Sequence, residues 1–212
     1  MSIEPYEPWV GSSYGKGING TRVMLVADSH YVTEGEKRHK KSSHTTDIVK
    51  WWVLKQKNGK SNKHPPETPL FFRRLTEVVQ SGLDFQATEP EIWDRLAFYN
   101  FIPEPMGTAT SIPSRRQFKA GRDVFRKALD SITPEPNVIL VCSMRCWDWM
   151  EAEELKVLET HPKRRWAYRI GESVAGPMHH PSYWNRSGMA NPAKSWSNVL
   201  QELASFSKAP AP

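Results

Sequence analysis

The order of apolar runs and helical patterns predicts a three-layer α/β/α fold with a central four-stranded, mainly parallel sheet. Four short β-type runs, at about 21–28, 95–102, 137–142 and 164–171, alternate with amphipathic helical segments. Alternation of this kind is typical of parallel strands that are covered by helices on both faces. A chain of 212 residues is long enough for one substantial core, and we expect a single domain over 1–212.

Start signals and apolar stripes define the helical segments. Thr68-Pro69 is the expected start of one helix, because proline is favoured in the first helical turn. Ser114-Arg115-Arg116-Gln117 matches a capping box, in which serine and glutamine satisfy each other's backbone donors. The expected helices run over about 45–54, 68–82, 114–131, 143–161 and 191–207.

Three segments fall outside the regular alternation of strands and helices. Residues 1–20 contain several prolines and glycines and indicate an irregular arm. Residues 33–66 indicate a basic insertion that consists of loops and one helix. Residues 208–212 are expected to be a frayed tail.

Composition and charge exclude several classes of protein. The longest apolar runs have the length of a strand, well short of the roughly 20 residues that a membrane helix requires. The N-terminus lacks the pattern of a secretion signal, and two cysteines are too few for a four-cysteine iron–sulfur cluster. We therefore expect a cytoplasmic monomer with no membrane contact and no obligate protein partner. The net charge of +6 and the pI near 9.3 favour a polyanionic partner, because basic groups bind phosphates with release of counterions.

Reactive side chains follow three of the predicted strands. The first strand leads into Asp28-Ser29-His30, and Asn100 stands near the end of the second strand. His180 follows the fourth strand. Because ligands of open α/β sheets bind outside the carboxyl ends of the parallel strands, we expect these groups to converge in one composite site.

In their order and spacing, these motifs resemble those of the uracil-DNA glycosylase superfamily, over about 23–206. The first family motif, Gly-Gln-Asp-Pro-Tyr or a variant of it, corresponds to Ala27-Asp28-Ser29-His30-Tyr31. The family asparagine that reads the flipped base corresponds to Asn100, and His180-Pro181-Ser182 matches the His-Pro-Ser motif residue for residue. The resemblance implies the short α/β/α fold of that family and hydrolysis of an N-glycosidic bond in DNA, without a cofactor.

The first motif departs from the family at Ser29, where the type enzymes have an aspartate that helps water attack the sugar. Cleavage of a base from deoxyribose builds positive charge on the sugar, so the site needs an anionic group there. Asp28, one residue earlier, is the expected replacement, and Ser29 remains a catalytic candidate at the family position.

The resemblance also implies roles for the groups that face the base. His180 would act as the third catalytic group by donating a hydrogen bond to the departing base, and Asn100 would bind the edge of the flipped pyrimidine. Tyr31 would crowd the C5 position of that base. His30 lies inside the first motif and titrates near neutrality, so we include it as a base-binding candidate.

The loop after His180 is expected to bind DNA. Ser182 and the main-chain amides near Pro181 are placed to hold phosphate. Trp184 is expected to fill the gap that the flipped nucleotide leaves, and Arg186 is expected to contact the backbone. A metal site is not expected, since the sequence contains no helical His-x-x-x-His or Cys-x-x-Cys spacing.

Three functional interpretations remain open. The first is a monofunctional DNA glycosylase that excises uracil or a modified cytosine, such as those of viral DNA, in DNA repair or antiviral defence. The second is a non-catalytic nucleic-acid-binding member of the same fold. The third is an unrelated hydrolase that uses Ser29 with His30 or His180, although the sequence lacks the Gly-x-Ser-x-Gly elbow that exposes such a serine.

Overall fold

A computed structural model describes most of the chain, namely residues 6–30, 44–55, 68–107, 111–150, 156–157, 167–186, 188 and 190–208. The strands are β1 (Trp9–Val10), β2 (Val23–Ala27), β3 (Leu96–Asn100), β4 (Val138–Val141), β5 (Lys156–Val157), β6 (Tyr168–Ile170) and β7 (Ser173–Pro177). The helices are α1 (His44–Trp52), α2 (Leu70–Gly82), α3 (Glu89–Trp93), α4 (Arg115–Asp130), α5 (Met144–Met150) and α6 (Pro192–Lys208), with 3₁₀ turns at Tyr14–Lys16 and Pro181–Arg186.

The described strands form one mixed sheet in the order β1-β3-β2-β4-β7-β6-β5. Parallel pairing joins the four central strands, β3, β2, β4 and β7. β1, β6 and β5 extend the sheet through antiparallel pairs. The α/β class is confirmed, and the centre of the sheet consists of four parallel strands. The predicted total of four strands is too low, because short antiparallel edge strands extend the sheet to seven.

The predicted fourth strand, 164–171, was expected to be one of the mainly parallel strands, and this prediction is wrong. Its described part contains β6, which runs antiparallel to β7 in a hairpin that turns at Gly171, where φ is +61°. The strand that pairs with β4 is β7, which contains two small residues, a glycine and a proline and therefore carries little strand propensity. The carboxyl end of β7 leads directly to His179 and His180.

Helices pack on both faces of the sheet and produce two cores. Alternate residues of β2 point to opposite faces, so that Leu25 and Ala27 belong to the first core while Met24 and Val26 belong to the second. α1, α2, α3 and α6 contribute to the first core, and α4 and α5 contribute to the second. β2 and β4 are continuous apolar runs because both of their faces are covered.

Local sequence signals define some helix ends better than others. The predicted capping box forms at α4, where Ser114 Oγ accepts from the backbone N–H of Gln117 at 3.3 Å. A second capping box, between Thr88 and Glu91, starts α3, a helix that was not among those predicted. α5 ends at Met150, so the helix predicted to about 161 is too long.

The predicted irregular arm over 1–20 includes the edge strand β1, where Trp9 Nε1 donates to the carbonyl of Trp93 at 3.0 Å. Of the predicted insertion over 33–66, the structure describes only 44–55, and of the predicted tail it describes only Lys208. None of the described helices has both the length and the apolar character needed to cross a membrane.

Candidate active site

A cavity of about 460 Å³ opens at the carboxyl edge of the parallel strands. A cavity of this size accommodates a small molecule or a single nucleobase. Its apolar walls include Phe71 and Phe72 of α2 and Phe98 of β3. The structure also brings most of the predicted site residues to it, namely Asp28, Ser29, His30, Asn100, His180 and Ser182.

Asp28 is 1% exposed and is held on both oxygens by α5. Arg145 Nη2 donates to Oδ2 at 2.9 Å, and the thiol of Cys146 donates to Oδ1 at 2.9 Å. Burial, reinforced by the Asp28 charge, raises the pKa of the Cys146 thiol well above its usual value, so the thiol keeps its proton and remains a donor. The orientation of the carboxylate is therefore fixed, while its oxygens retain the capacity to accept further hydrogen bonds.

Arg145 and Cys146 were not among the predicted site residues. Both follow β4, whose carboxyl end lies at the same edge of the sheet as the ends of β2 and β3. The strand-end rule that identified Asp28 applies equally to this segment. The segment carries none of the motifs on which the resemblance rests, so these motifs did not identify it.

His30 is 3% exposed and contacts the amide of Asn100. The Nε2 atom of His30 lies 2.9 Å from Thr45 Oγ1, and Asn100 Nδ2 lies 3.1 Å from the same nitrogen. Burial is the main cause that lowers the pKa of His30 well below its usual value, and the charge of the neighbouring His44 lowers it further. The ring is therefore neutral near pH 7 and can accept a hydrogen bond from Asn100, whose carbonyl oxygen and second amide hydrogen can serve a ligand.

The ring of His180 stacks on Phe71, with the ring centroids 5.0 Å apart and the planes inclined by 27°. The backbone N–H of Ser182 donates to Nδ1 of His180 at 3.3 Å, which favours the tautomer that carries its proton on Nε2. Burial is the main cause that lowers the pKa of His180; Asp28 opposes this shift, and Arg145 adds to it. His180 near pH 7 is therefore a neutral ring with Nε2–H as its donor.

Trp184 is packed inside the protein, which corrects the expectation that it is free to enter DNA. The side chain is 4% exposed and belongs to the first core. Its Nε1 donates to the carbonyl of His179 at 3.1 Å, and the guanidinium of Arg74 lies 5.3 Å above its ring. Arg74 also donates to the carbonyl of Pro181, so that α2 holds this loop through both its backbone and its tryptophan.

The remaining predicted residues fall into two groups. Pro181 is buried, whereas Ser182 is exposed at the cavity. Tyr31 and the side chain of Arg186 lie outside the described part of the chain. Their predicted roles, against the base and on the DNA backbone, stay predictions.

Ser29 lines the cavity, but its hydroxyl oxygen is buried and has no hydrogen-bond partner among the described residues. In that part of the chain, neither His30 nor His180 is bonded to it. A serine nucleophile needs an adjacent base that accepts its proton. The geometry therefore gives no support to a hydrolase in which Ser29 is the nucleophile.

The described residues contain no group of three histidine, cysteine or acidic side chains that is arranged to hold a metal ion. The polar residues of the cavity instead provide a buried carboxylate, an amide, two neutral imidazoles, a guanidinium and two serines. No protein-family model matches this sequence, and no curated protein matches it at a significant level.

Proposed function

We propose that this protein is a monofunctional DNA glycosylase that flips out an altered pyrimidine and hydrolyses its N-glycosidic bond. The observation that supports this function best is the convergence of Asp28, Asn100 and His180 on one cavity at the carboxyl edge of the sheet. The proposed substrate is DNA that contains uracil or a modified cytosine. The proposed setting is a cytoplasmic monomer that acts in repair or in antiviral defence.

The charges around the cavity match those that develop during cleavage. The sugar becomes positive as the bond to the base breaks, and the departing base becomes negative. Asp28, oriented by Arg145 and Cys146, would align the attacking water and stabilise the sugar cation. The Nε2–H of His180 would donate to the oxygen of the base, as preorganised donors do for other developing anions. Water then supplies the hydroxyl group on the sugar and the proton on the released base.

The base itself would lie between the aromatic walls of the cavity. Asn100 offers a hydrogen-bond acceptor and a remaining donor to the edge of a pyrimidine, and its contact with His30 fixes the amide. Phe71 and Phe98 line the same cavity. An apolar enclosure of this kind excludes water and strengthens the hydrogen bonds that recognise the base.

A second candidate function is a non-catalytic nucleic-acid-binding protein with the same fold. The observation that favours it is the ion pair between Asp28 and Arg145, because a carboxylate paired with a guanidinium stabilises a sugar cation less than an unpaired one. In this interpretation, the protein lost its catalytic activity because Ser29 stands where the type enzymes of the resembling family have an aspartate.

The two functions are separated by measuring abasic-site formation on oligonucleotides that contain a single uracil or a single modified cytosine. We expect the wild-type protein to release one of these bases in single-turnover reactions. Asp28→Asn should lower that rate by at least about 100-fold while DNA binding persists, since the carboxylate acts mainly in the transition state. Asp123→Asn removes an acid whose side chain is 56% exposed on α4 and should leave the rate unchanged.

Two outcomes contradict the proposal. Full activity in Asp28→Asn would remove this carboxylate from the mechanism. Tight DNA binding by the wild-type protein with no release of any tested base would instead support the non-catalytic function.

A further inference from the structure

Arg145 reaches from the buried carboxylate of Asp28 toward solvent. Its Nη2 lies 2.9 Å from Asp28 Oδ2, yet the side chain of Arg145 is 38% exposed whereas that of Asp28 is 2% exposed. Arg145 also lines the cavity and lies near enough to His180 for its charge to affect that ring. A single guanidinium therefore connects the proposed catalytic groups to the cavity opening.

The contact with Asp28 uses only part of the hydrogen-bonding capacity of Arg145. A guanidinium carries five N–H donors in a planar fork, and one of them is bonded to Asp28. Arg145 makes no other hydrogen bond to the described residues. It is also the only arginine or lysine among the described residues that line this cavity. The exposed part of the side chain thus keeps donors for a second anionic acceptor.

We propose that Arg145 binds the phosphodiester next to the extruded nucleotide with the same guanidinium that holds Asp28, an inference that rests on the proposed function. A phosphate remains at the rim of the cavity when the base enters, because its charge is costly to remove from water. The planar fork of a guanidinium matches phosphate oxygens and can bridge two anions. Arg145 is then a substrate-binding residue that links docking of the DNA backbone to the orientation of the carboxylate.

The test measures DNA binding and does not depend on base excision. The probe is a duplex with one tetrahydrofuran abasic-site analogue, and its affinity is measured between about 50 and 200 mM salt, the range over which phosphate contacts change affinity steeply. Arg145→Gln should weaken binding by about tenfold at low salt, as expected for loss of a charged hydrogen bond. It should also lower the slope of log affinity against log salt by about one.

Arg126→Gln is the matched control. Arg126 also pairs with an acid, Asp130 at 3.2 Å, but it lies on α4, and its side chain is 52% exposed. This variant removes the same charge without touching the cavity, so the salt slope should stay at the wild-type value. An equal fall in slope for both variants would overturn the assignment of a specific contact to Arg145.

A second pair of variants separates phosphate binding from simple destabilisation. Arg145→Gln leaves the carboxylate of Asp28 buried without its cationic partner, which weakens the fold. The double variant Asp28→Asn/Arg145→Gln removes both charges and is compared with Asp28→Asn alone. We expect Asp28→Asn to keep the wild-type salt slope and the double variant to lose about one unit of it.

Equal slopes in Asp28→Asn and the double variant would overturn the proposal and leave Arg145 as a positioning residue for Asp28 alone. A wild-type protein that binds the probe through Arg145 but excises no base would support this inference and contradict the glycosylase function. A wild-type protein that does not bind the DNA probe would contradict both.

Discussion

Replacing Trp184 with alanine tests whether this residue stabilises the fold or acts in DNA. The indole is 4% exposed, donates to the carbonyl of His179 at 3.1 Å and lies 5.3 Å below the guanidinium of Arg74. Removal of a buried ring of this size costs about 3–5 kcal/mol. In a chain of this length, each kcal/mol lowers Tm by about 2–4 °C, so we expect Trp184→Ala to lower Tm by on the order of 10 °C.

Two further variants separate the contributions of the indole N–H and of the neighbouring Ser182 side chain to the stability. Trp184→Phe keeps a ring under Arg74 but removes the indole N–H, which should cost about 1 kcal/mol and lower Tm by about 2–4 °C. Ser182→Ala retains the backbone N–H that bonds to His180 and should leave Tm unchanged. Thermal melting followed by circular dichroism measures all three variants. An unchanged Tm in Trp184→Ala, combined with a defect on duplex but not on single-stranded DNA, would refute the packing role and restore the DNA wedge.

Two other predictions concern pH and close packing. Because burial holds the pKa of His30 well below its usual value, the unfolded chain takes up a proton that the folded chain does not. The contribution of His30 to the stability is therefore fully present above about pH 6.5, and it should decrease by up to about 1.4 kcal/mol per pH unit as the pH falls toward the lowered pKa of the folded state. Urea titrations should show a shallower decrease in His30→Gln, and identical slopes in the two proteins would contradict this role of His30. Gly121→Ala should destabilise the fold by about 1–3 kcal/mol, since the added Cβ would lie 2.5 Å from the carbonyl oxygen of Phe101; an unchanged denaturation midpoint would contradict the close contact.

Much of the central sheet is predictable because two of its parallel strands are uninterrupted apolar runs and a third, β3, is apolar as far as Asn100. β2 and β4 are buried on both faces, which makes them visible in sequence as continuous aliphatic segments. β7 cannot be recognised from the sequence, because its glycine and proline have low strand propensity and its conformation depends on pairing with β4 and β6. β1 and β5 contain two residues each, which is too short to show any period.

The same distinction applies to the residues around the cavity. Asp28 and Asn100 follow recognisable strands, so their position at one edge of the sheet could be inferred from the order of elements. The partnership of Asp28 with Arg145 depends on how α5 packs, and no local pattern encodes that packing. The burial of Trp184 likewise depends on Arg74, which belongs to a helix far away in the chain.

The contacts that hold the cavity together join distant parts of the chain. Asn100 and His30 are 70 positions apart, Arg74 and Pro181 are 107 apart, and Asp28 is 117 positions from Arg145. Each contact closes a long loop, and the conformational entropy of that loop is lost before the contact contributes stability. A fragment of the chain that ends before His180 therefore lacks a contact group of the cavity and should not form the complete site. We therefore expect the cavity to assemble only after these distant segments of the chain have packed together.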